Sequence, residues 1–224
     1  MRVLAIGLGG AGSRIVDTLY GQDLKGSIHC MSALAVDFDV DTLLRLKYLP
    51  SDARIHFPPI DPTTPYDVQT TIDIEEVMTQ VQQVDTIEID SILLVAGLGG
   101  SMVDAAPLII PELRKSFIEP IFAVVTLPCT GEGKKRSAKA ADDIERLRPL
   151  ADAVILFDND SWYRRFKDEQ AITDEKVAKR EIPKRLAKKI IHQPLNRRDY
   201  IHGLLNNRIS RQMGLLLHAG EFSE

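Results

Sequence analysis

An apolar run that stops on glycine decides most of what this chain can become. Residues Val3 to Ile6 read as a buried strand too short to be a helix. Gly7 breaks the run, and Gly9, Gly10 and Gly12 follow before a helical pattern sets in over Arg14–Tyr20. Glycine reaches positive φ and admits a ligand without meeting a Cβ. The helix that follows points unpaired N–H groups and the positive end of its dipole at the same spot. A phosphate suits such a turn. The spacing Gly7-x-Gly9-x-x-Gly12 also fits the dinucleotide fingerprint, so the turn alone leaves both ligands open.

The rest of the chain alternates. A second extended run, Ser27 to Val36, ends in Asp37-Phe-Asp39-Val-Asp41. A carboxylate at the tip of a second strand meets a ribose or a magnesium ion in nucleotide folds. Asp39 or Asp41 equally suits the N-cap of a helix starting at Thr42. Arg54 to Phe57 reads as a short edge strand, and Pro58, Pro59, Pro62 and Pro65 stiffen the loop after it. A helix over 74–84 leads to a buried strand, Ile89 to Val95, and then to a second glycine loop, Ala96-Gly-Leu-Gly-Gly-Ser-Met-Val-Asp104. A helix over Leu108–Ser116, a strand over Pro120–Thr126, a long amphipathic helix to Leu150 and a strand over Ala153–Phe157 complete the pattern. Strands alternating with helices of this length make parallel βαβ units in a doubly wound α/β sheet. Ligands of such sheets sit beyond the carboxyl ends of the strands.

Bulk properties exclude several classes. With 224 residues and a net charge of -4, the chain is one large domain or one and a half, without a generally nucleic-acid-binding surface. No run approaches a membrane span, and the first apolar run is too short for a secretory signal, so the expected compartment is the cytoplasm. Cys30 and Cys129 are too few for a disulfide framework or a zinc site. Charge is uneven: from Lys176 onward there are eleven Lys/Arg against four Asp/Glu, a basic segment on an acidic body, which reads first as a solvated helix face. A basic helix or helix pair over Thr173–His192 is interrupted by Pro183 and closed by Pro194. A final stretch, Tyr200–His218, places Ile201, Leu204, Leu205, Ile209, Met213 and Leu216 at helical spacing, a core-packing stripe.

Two glycine loops some ninety residues apart, with the loops after them, resemble the tubulin/FtsZ family. Ile6–Ser13 resembles the family's first phosphate loop and Ala35–Leu43 the second. Ala96–Gly100 resembles the flank of the signature loop. Val125–Pro128 with Glu132–Arg136 resembles the fifth loop, and Phe157–Asp160 the sixth. The resemblance runs over roughly residues 1–200 in order and spacing. It implies a Rossmann-like six-stranded parallel sheet in the order 3-2-1-4-5-6, occupying residues 1–171, with GTP or GDP as ligand and magnesium as an admissible companion. The implied contacts are Gly9, Gly10, Gly12, Ser13 and Arg14 in the first loop, and Asp37 and Asp39 in the second. Gly97, Gly99, Gly100 and Ser101 follow in the signature loop, Glu132 and Arg136 in the fifth, and Asn159 in the sixth.

The departures from the family matter as much. The signature loop is one residue short and carries Met102, Val103 and Asp104 where the family has glycines and hydroxyls. Either Asp104 turns outward to cap the helix over 105–116, or the loop no longer takes a terminal phosphate. The family hydrolyses GTP across a filament interface, with an Asp-x-x-Asp pair on the seventh loop of one subunit facing its neighbour's nucleotide. The matching stretch here is Leu195–His202, with Asp199 as first acid and His202 in place of the second. Histidine orients a water but replaces a carboxylate poorly. Residues 172–224 would then hold a central basic helix, the seventh-loop-like segment and a following helix, with the family's second domain absent. Head-to-tail homo-oligomers with weak or absent hydrolysis follow from the resemblance. Two alternatives stand beside it: a scaffold that binds no nucleotide, and a dinucleotide-binding Rossmann protein.

Overall fold

The computed structural model describes residues 2–26, 29–61, 63–84, 88–165 and 197–219. Its strands are β1 (Val3–Leu8), β2 (Met31–Asp37), β3 (Arg54–His56), β4 (Ser91–Gly97), β5 (Ile121–Leu127) and β6 (Ala153–Asp158). All neighbours pair in parallel, in the order β3-β2-β1-β4-β5-β6. The helices are α1 (Gly9–Asp23), α2 (Val40–Leu44), α3 (Val68–Thr71), α4 (Ile74–Gln83), α5 (Ala106–Ser116), α6 (Lys134–Leu147), α7 (described over 159–165) and α8 (Arg197–Ala219).

Parallel strands covered on both faces read as continuous apolar runs rather than alternations. The central strand obeys this, since every residue of β1 is buried. Val3, Leu4, Ile6, Leu34, Ile92, Leu94 and Ile121 lie in one cluster with Ile15 and Val16 of α1 and Ile109, Ile110 and Leu113 of α5. From β1 the chain adds strands first on one side (β2, β3) and then on the other (β4, β5, β6). The reversal opens a crevice between the carboxyl ends of β1 and β4, the place where such sheets receive ligands.

The first helix starts earlier than the glycines suggest. Expected at Arg14, α1 begins at Gly9, and the glycines form its first turn. Isolated glycine weakens a helix by about 1 kcal/mol against alanine; close packing overrides that preference here. A Cβ on Gly12 would stand 2.0 Å from the carbonyl oxygen of Val95, and one on Gly7 would stand 2.8 Å from the Gly12 backbone. The helix can therefore lie directly on β1 and β4 only with glycine at both positions. Gly9, at φ +68, turns the chain from strand into helix.

Buried Asp17 of α1 organises the loop before β3, accepting from the backbone N–H of Lys47 (3.0 Å), Tyr48 (2.8 Å) and Leu49 (2.9 Å). On α8 the buried stripe is Leu205, Ile209 and Met213, with Leu217 continuing it. Leu216, expected in that stripe, is 59% exposed. Ser210 donates to the Ile15 carbonyl at 3.0 Å, clamping α8 to α1, and Ile209 and Met213 share the core of the sheet. The expected basic helix over 173–192, with Pro183 and Pro194, lies outside the described residues.

Candidate nucleotide-binding site

One cleft of about 660 Å³ lies at the carboxyl ends of the strands, within the range of small-molecule sites. Leu8 to Ala11 at the end of β1, Asp37 to Asp39 after β2, Gly97 to Met102 after β4, Thr126 to Pro128 at the end of β5, and Asn159 after β6 all line it. The glycine loops and the sixth loop thus converge on a single rim. Of the residues marked from sequence, Gly9, Gly10, Arg14, Asp37, Asp39, Gly97, Gly99, Gly100, Ser101, Glu132, Arg136 and Asn159 face this cleft. Gly12 and Ser13 do not line it. Gly12 is pressed against β4, and Ser13, fully buried, sits beneath the turn with its hydroxyl 3.5 Å from the Gly7 carbonyl.

The amino end of α1 carries no side-chain cap and no acidic residue in its first turn. Its first amides therefore lack intrahelical partners and meet the cleft with the positive end of the helix dipole. Asp39 accepts from the backbone N–H of Asp41 at 3.0 Å and from the Thr42 hydroxyl at 2.9 Å, so it is the N-cap of α2 and a wall of the cleft at once. The Thr42 hydroxyl, with the backbone N–H groups of Asp41 and Thr42, holds its carboxyl below the usual carboxylate range. Asp37 behaves oppositely. Burial raises its pKa against the lowering effect of backbone N–H donors and of Arg14.

Two buried oxygens on the cleft have no hydrogen-bond partner among the described residues: Oδ2 of Asp37 and Oδ1 of Asn159. Buried polar atoms are otherwise almost always satisfied, and leaving one bare costs about 1–3 kcal/mol. A ligand N–H would satisfy the Asn159 oxygen; the Asp37 oxygen, an acceptor when ionised, needs a donor or a cation, and a bare phosphate is neither. The two oxygens stand on β2 and after β6, four inter-strand steps of about 4.8 Å apart in the sheet, roughly 19 Å in all. That separation suits an extended ligand with a base at one end and phosphates at the other. Between them, Glu132 accepts from the Cys129 N–H at 2.9 Å and from Arg136 at 2.5 Å. The Thr130 N–H donates to Asp160 at 3.0 Å, tying the fifth loop to the sixth.

The signature loop resolves the alternative posed by its sequence. Asp104 turns away from the cleft, yet it does not cap α5, whose N-cap is Ala105 with no side-chain bond. It accepts instead from Lys139 at 3.0 Å and Arg146 at 2.5 Å, both on α6. The same two cations hold Asp143, whose other oxygen accepts the Gly99 N–H at 2.8 Å. Met102 remains on the cleft wall, 3% exposed, beneath Gly9. Phe38, Thr42 and Thr126 lie within the loops that carry the resemblance but were not singled out as contacts, and Asp143 belongs to no motif in sequence.

His202, which the resemblance sets in a seventh-loop segment with Asp199, lines this chain's own cleft. The path of α8 brings it there. Asp199 and His202 lie at its amino end, while Gly214, farther along, approaches Gln22 at the far end of α1. The helix thus runs alongside α1, away from the glycine turn. The Asp199 side chain lies outside the described residues.

A glycine turn feeding a helix at the switch point of a 3-2-1-4-5-6 parallel sheet, with one cleft spanning five strand ends, defines an α/β domain of the doubly wound class whose cleft lies where such sheets receive ligands. The model of the Tubulin/FtsZ family GTPase domain matches residues 2–167, and the chain belongs to that family. Tubulin-like protein CetZ4 of Haloferax volcanii is 32% identical over 172 residues, covering 72% of this chain and 43% of that protein. CetZ3 of the same organism is 27% identical over 232 residues, covering 99% and 52%. In structure, the GDP-bound CetZ1 monomer from Haloferax volcanii aligns with a TM-score of 0.75 at 23% identity, covering 98% of this chain and 61% of that one. The GTPγS-bound CetZ2 protofilament from that organism also gives 0.75, at 24% identity, covering 100% and 60%. At these identities the structural likeness carries the fold. The chain spans about half the length of the curated relatives it matches. Among the described residues no helix is long and apolar enough to cross a membrane, and no group of three or more His, Cys, Asp or Glu could hold a metal ion.

Proposed function

We propose that the chain binds GTP or GDP in the cleft and uses the bound nucleotide in head-to-tail self-association, with slow or absent hydrolysis. The carrying observation is the single cleft that gathers the glycine turn of α1, Gly97 to Ser101 and Asn159, whose buried Oδ1 has no partner among the described residues. The guanine base lies at the Asn159 end, where an amide offers both acceptor and donors to a base edge. The ribose lies near Glu132 and Arg136, and the phosphates lie over the amino end of α1 and beside Gly100 and Ser101. His202, on the wall of the same cleft, takes a binding rather than a hydrolytic role. Slow turnover rests on the substitution itself: His202 stands where the family's second acid would, and histidine replaces a carboxylate poorly. Self-association is carried over from the relatives, one of which forms a protofilament.

Calorimetry with GTP, GDP, ATP and NAD tests this reading. Tight binding of GTP and GDP over ATP supports it. NAD binding would favour a dinucleotide site, and no binding at all would favour a scaffold. Steady-state phosphate release at rising protein concentration tests the slow turnover.

A further inference from the structure

We infer that Arg14, and not the signature loop, reads the terminal phosphate of the bound nucleotide. The inference rests on the nucleotide reading above and adds which residue counts phosphates.

The signature loop has given up donors. Its Gly99 N–H is committed to buried Asp143, its Asp104 faces α6, and its Met102 fills the space under Gly9. Arg14 is in the opposite condition. It is exposed and lines the cleft, and its guanidinium makes no hydrogen bond or ion pair among the described residues. The other arginine on the cleft, Arg136, is already paired with Glu132 at 2.5 Å. The Arg14 guanidinium lies over Gly10, where a methyl added to that glycine would meet it at 3.1 Å. It stands on the Asp37 side of the glycine turn, away from Asn159, the end that the last phosphate of an extended nucleotide reaches.

A second observation points the same way. Asp37 is 2% exposed, has one unpartnered oxygen, lines the cleft and feels the Arg14 charge without a direct bond to it. Asp37 thus leaves the guanidinium fork open to an anion while keeping a positive charge at that wall favourable. Arginine's planar fork matches phosphate oxygens bidentately, and charge-assisted bonds of this kind are about twice as strong as neutral ones.

The test measures affinities of GTP, GDP and GMP, and of inorganic tripolyphosphate, for the wild type, Arg14→Ala and Arg14→Lys. Arg14 is exposed, so both variants are expected to keep the wild-type melting temperature without ligand. Arg14→Ala is expected to weaken GTP roughly tenfold to a hundredfold, GDP less and GMP not at all, with Arg14→Lys restoring part of the loss. Equal loss for all three nucleotides, or no loss, overturns the inference and leaves the guanine reading standing. Tripolyphosphate binding that depends on Arg14, without any guanine-nucleotide binding, supports the Arg14 role and overturns the guanine reading. Binding of neither overturns both.

Discussion

The amide nitrogen of Gly99 stands 2.8 Å from Oδ2 of Asp143, a carboxylate whose own side chain is wholly buried. A backbone donor on the cleft rim is thereby satisfied from within the protein, and the loop keeps its shape without a ligand. Replacing Asp143 with alanine orphans that donor and leaves Lys139 and Arg146 sharing Asp104 alone. The orphaned amide costs about 1–3 kcal/mol. The ion-pair part is smaller because both cations are partly exposed. Urea unfolding of D143A should show a lower midpoint at an unchanged slope, and D143N, which retains an acceptor, should recover part of the loss.

Glycines of the first turn should separate by role. Gly12→Ala places a methyl 2.0 Å from a backbone carbonyl, which cannot yield, so the variant should be severely destabilised or fail to fold. A methyl at Gly10 meets the far end of the Arg14 side chain at 3.1 Å and the Thr42 methyl at 3.6 Å. G10A should keep its melting temperature within a few degrees while binding nucleotide about tenfold more weakly, through displacement of Arg14. Thermal melts and calorimetry on the same preparations check both.

Asp104 lies on the far side of its loop from the cleft, held by Lys139 and Arg146. D104N should leave GTP and GDP affinity unchanged. Were the carboxylate facing the phosphates, removing its charge would tighten binding, more for GTP than for GDP. Calorimetry at two salt concentrations tells these outcomes apart.

Asp37 gives the ligand-free chain a definite pH signature. Its pKa is raised above 3.8 in the folded state, chiefly by burial, so the native state holds that proton more tightly than the unfolded state does. Stability from this group is therefore greatest at low pH and falls as pH rises through the interval between 3.8 and the raised value. D37N should melt higher than the wild type at pH 7, and the difference should shrink as acid protonates Asp37. Asp39, whose pKa is lowered chiefly by the Thr42 hydroxyl, has the opposite sign. Its stabilising effect is present above 3.8 and lost as pH falls below that value, so D39N should melt lower at pH 7.

Much of the site was legible because its signals are local. Gly9 and Gly10 sit in a short strand-to-helix turn, Asp39 precedes the helix it caps, and Glu132 and Arg136, four residues apart, flank the start of α6. Misreadings arose where packing overrode local preference. The glycine turn looked like a loop because glycine is a poor helix former, yet contact with β4 requires glycine inside α1. Leu216 fitted a helical stripe by spacing, but the face of α8 that meets α1 continues through Leu217. His202 could be assigned to its own chain's cleft only once the direction of α8 along α1 was known.

Apolar runs, glycine turns and their order along the chain by themselves determined a parallel doubly wound sheet and the family to which it belongs. Backbone preferences and hydrophobic periodicity act over a few residues, and such features can be read directly from neighbours in sequence. The tertiary structure alone decided which donors and charges remain open to a ligand. The partner of Gly99 is 44 residues away on α6, and the cations that draw off Asp104 are 35 and 42 residues distant. Hydrogen-bond satisfaction in a buried site depends on which groups the fold brings into contact, and no local pattern encodes that.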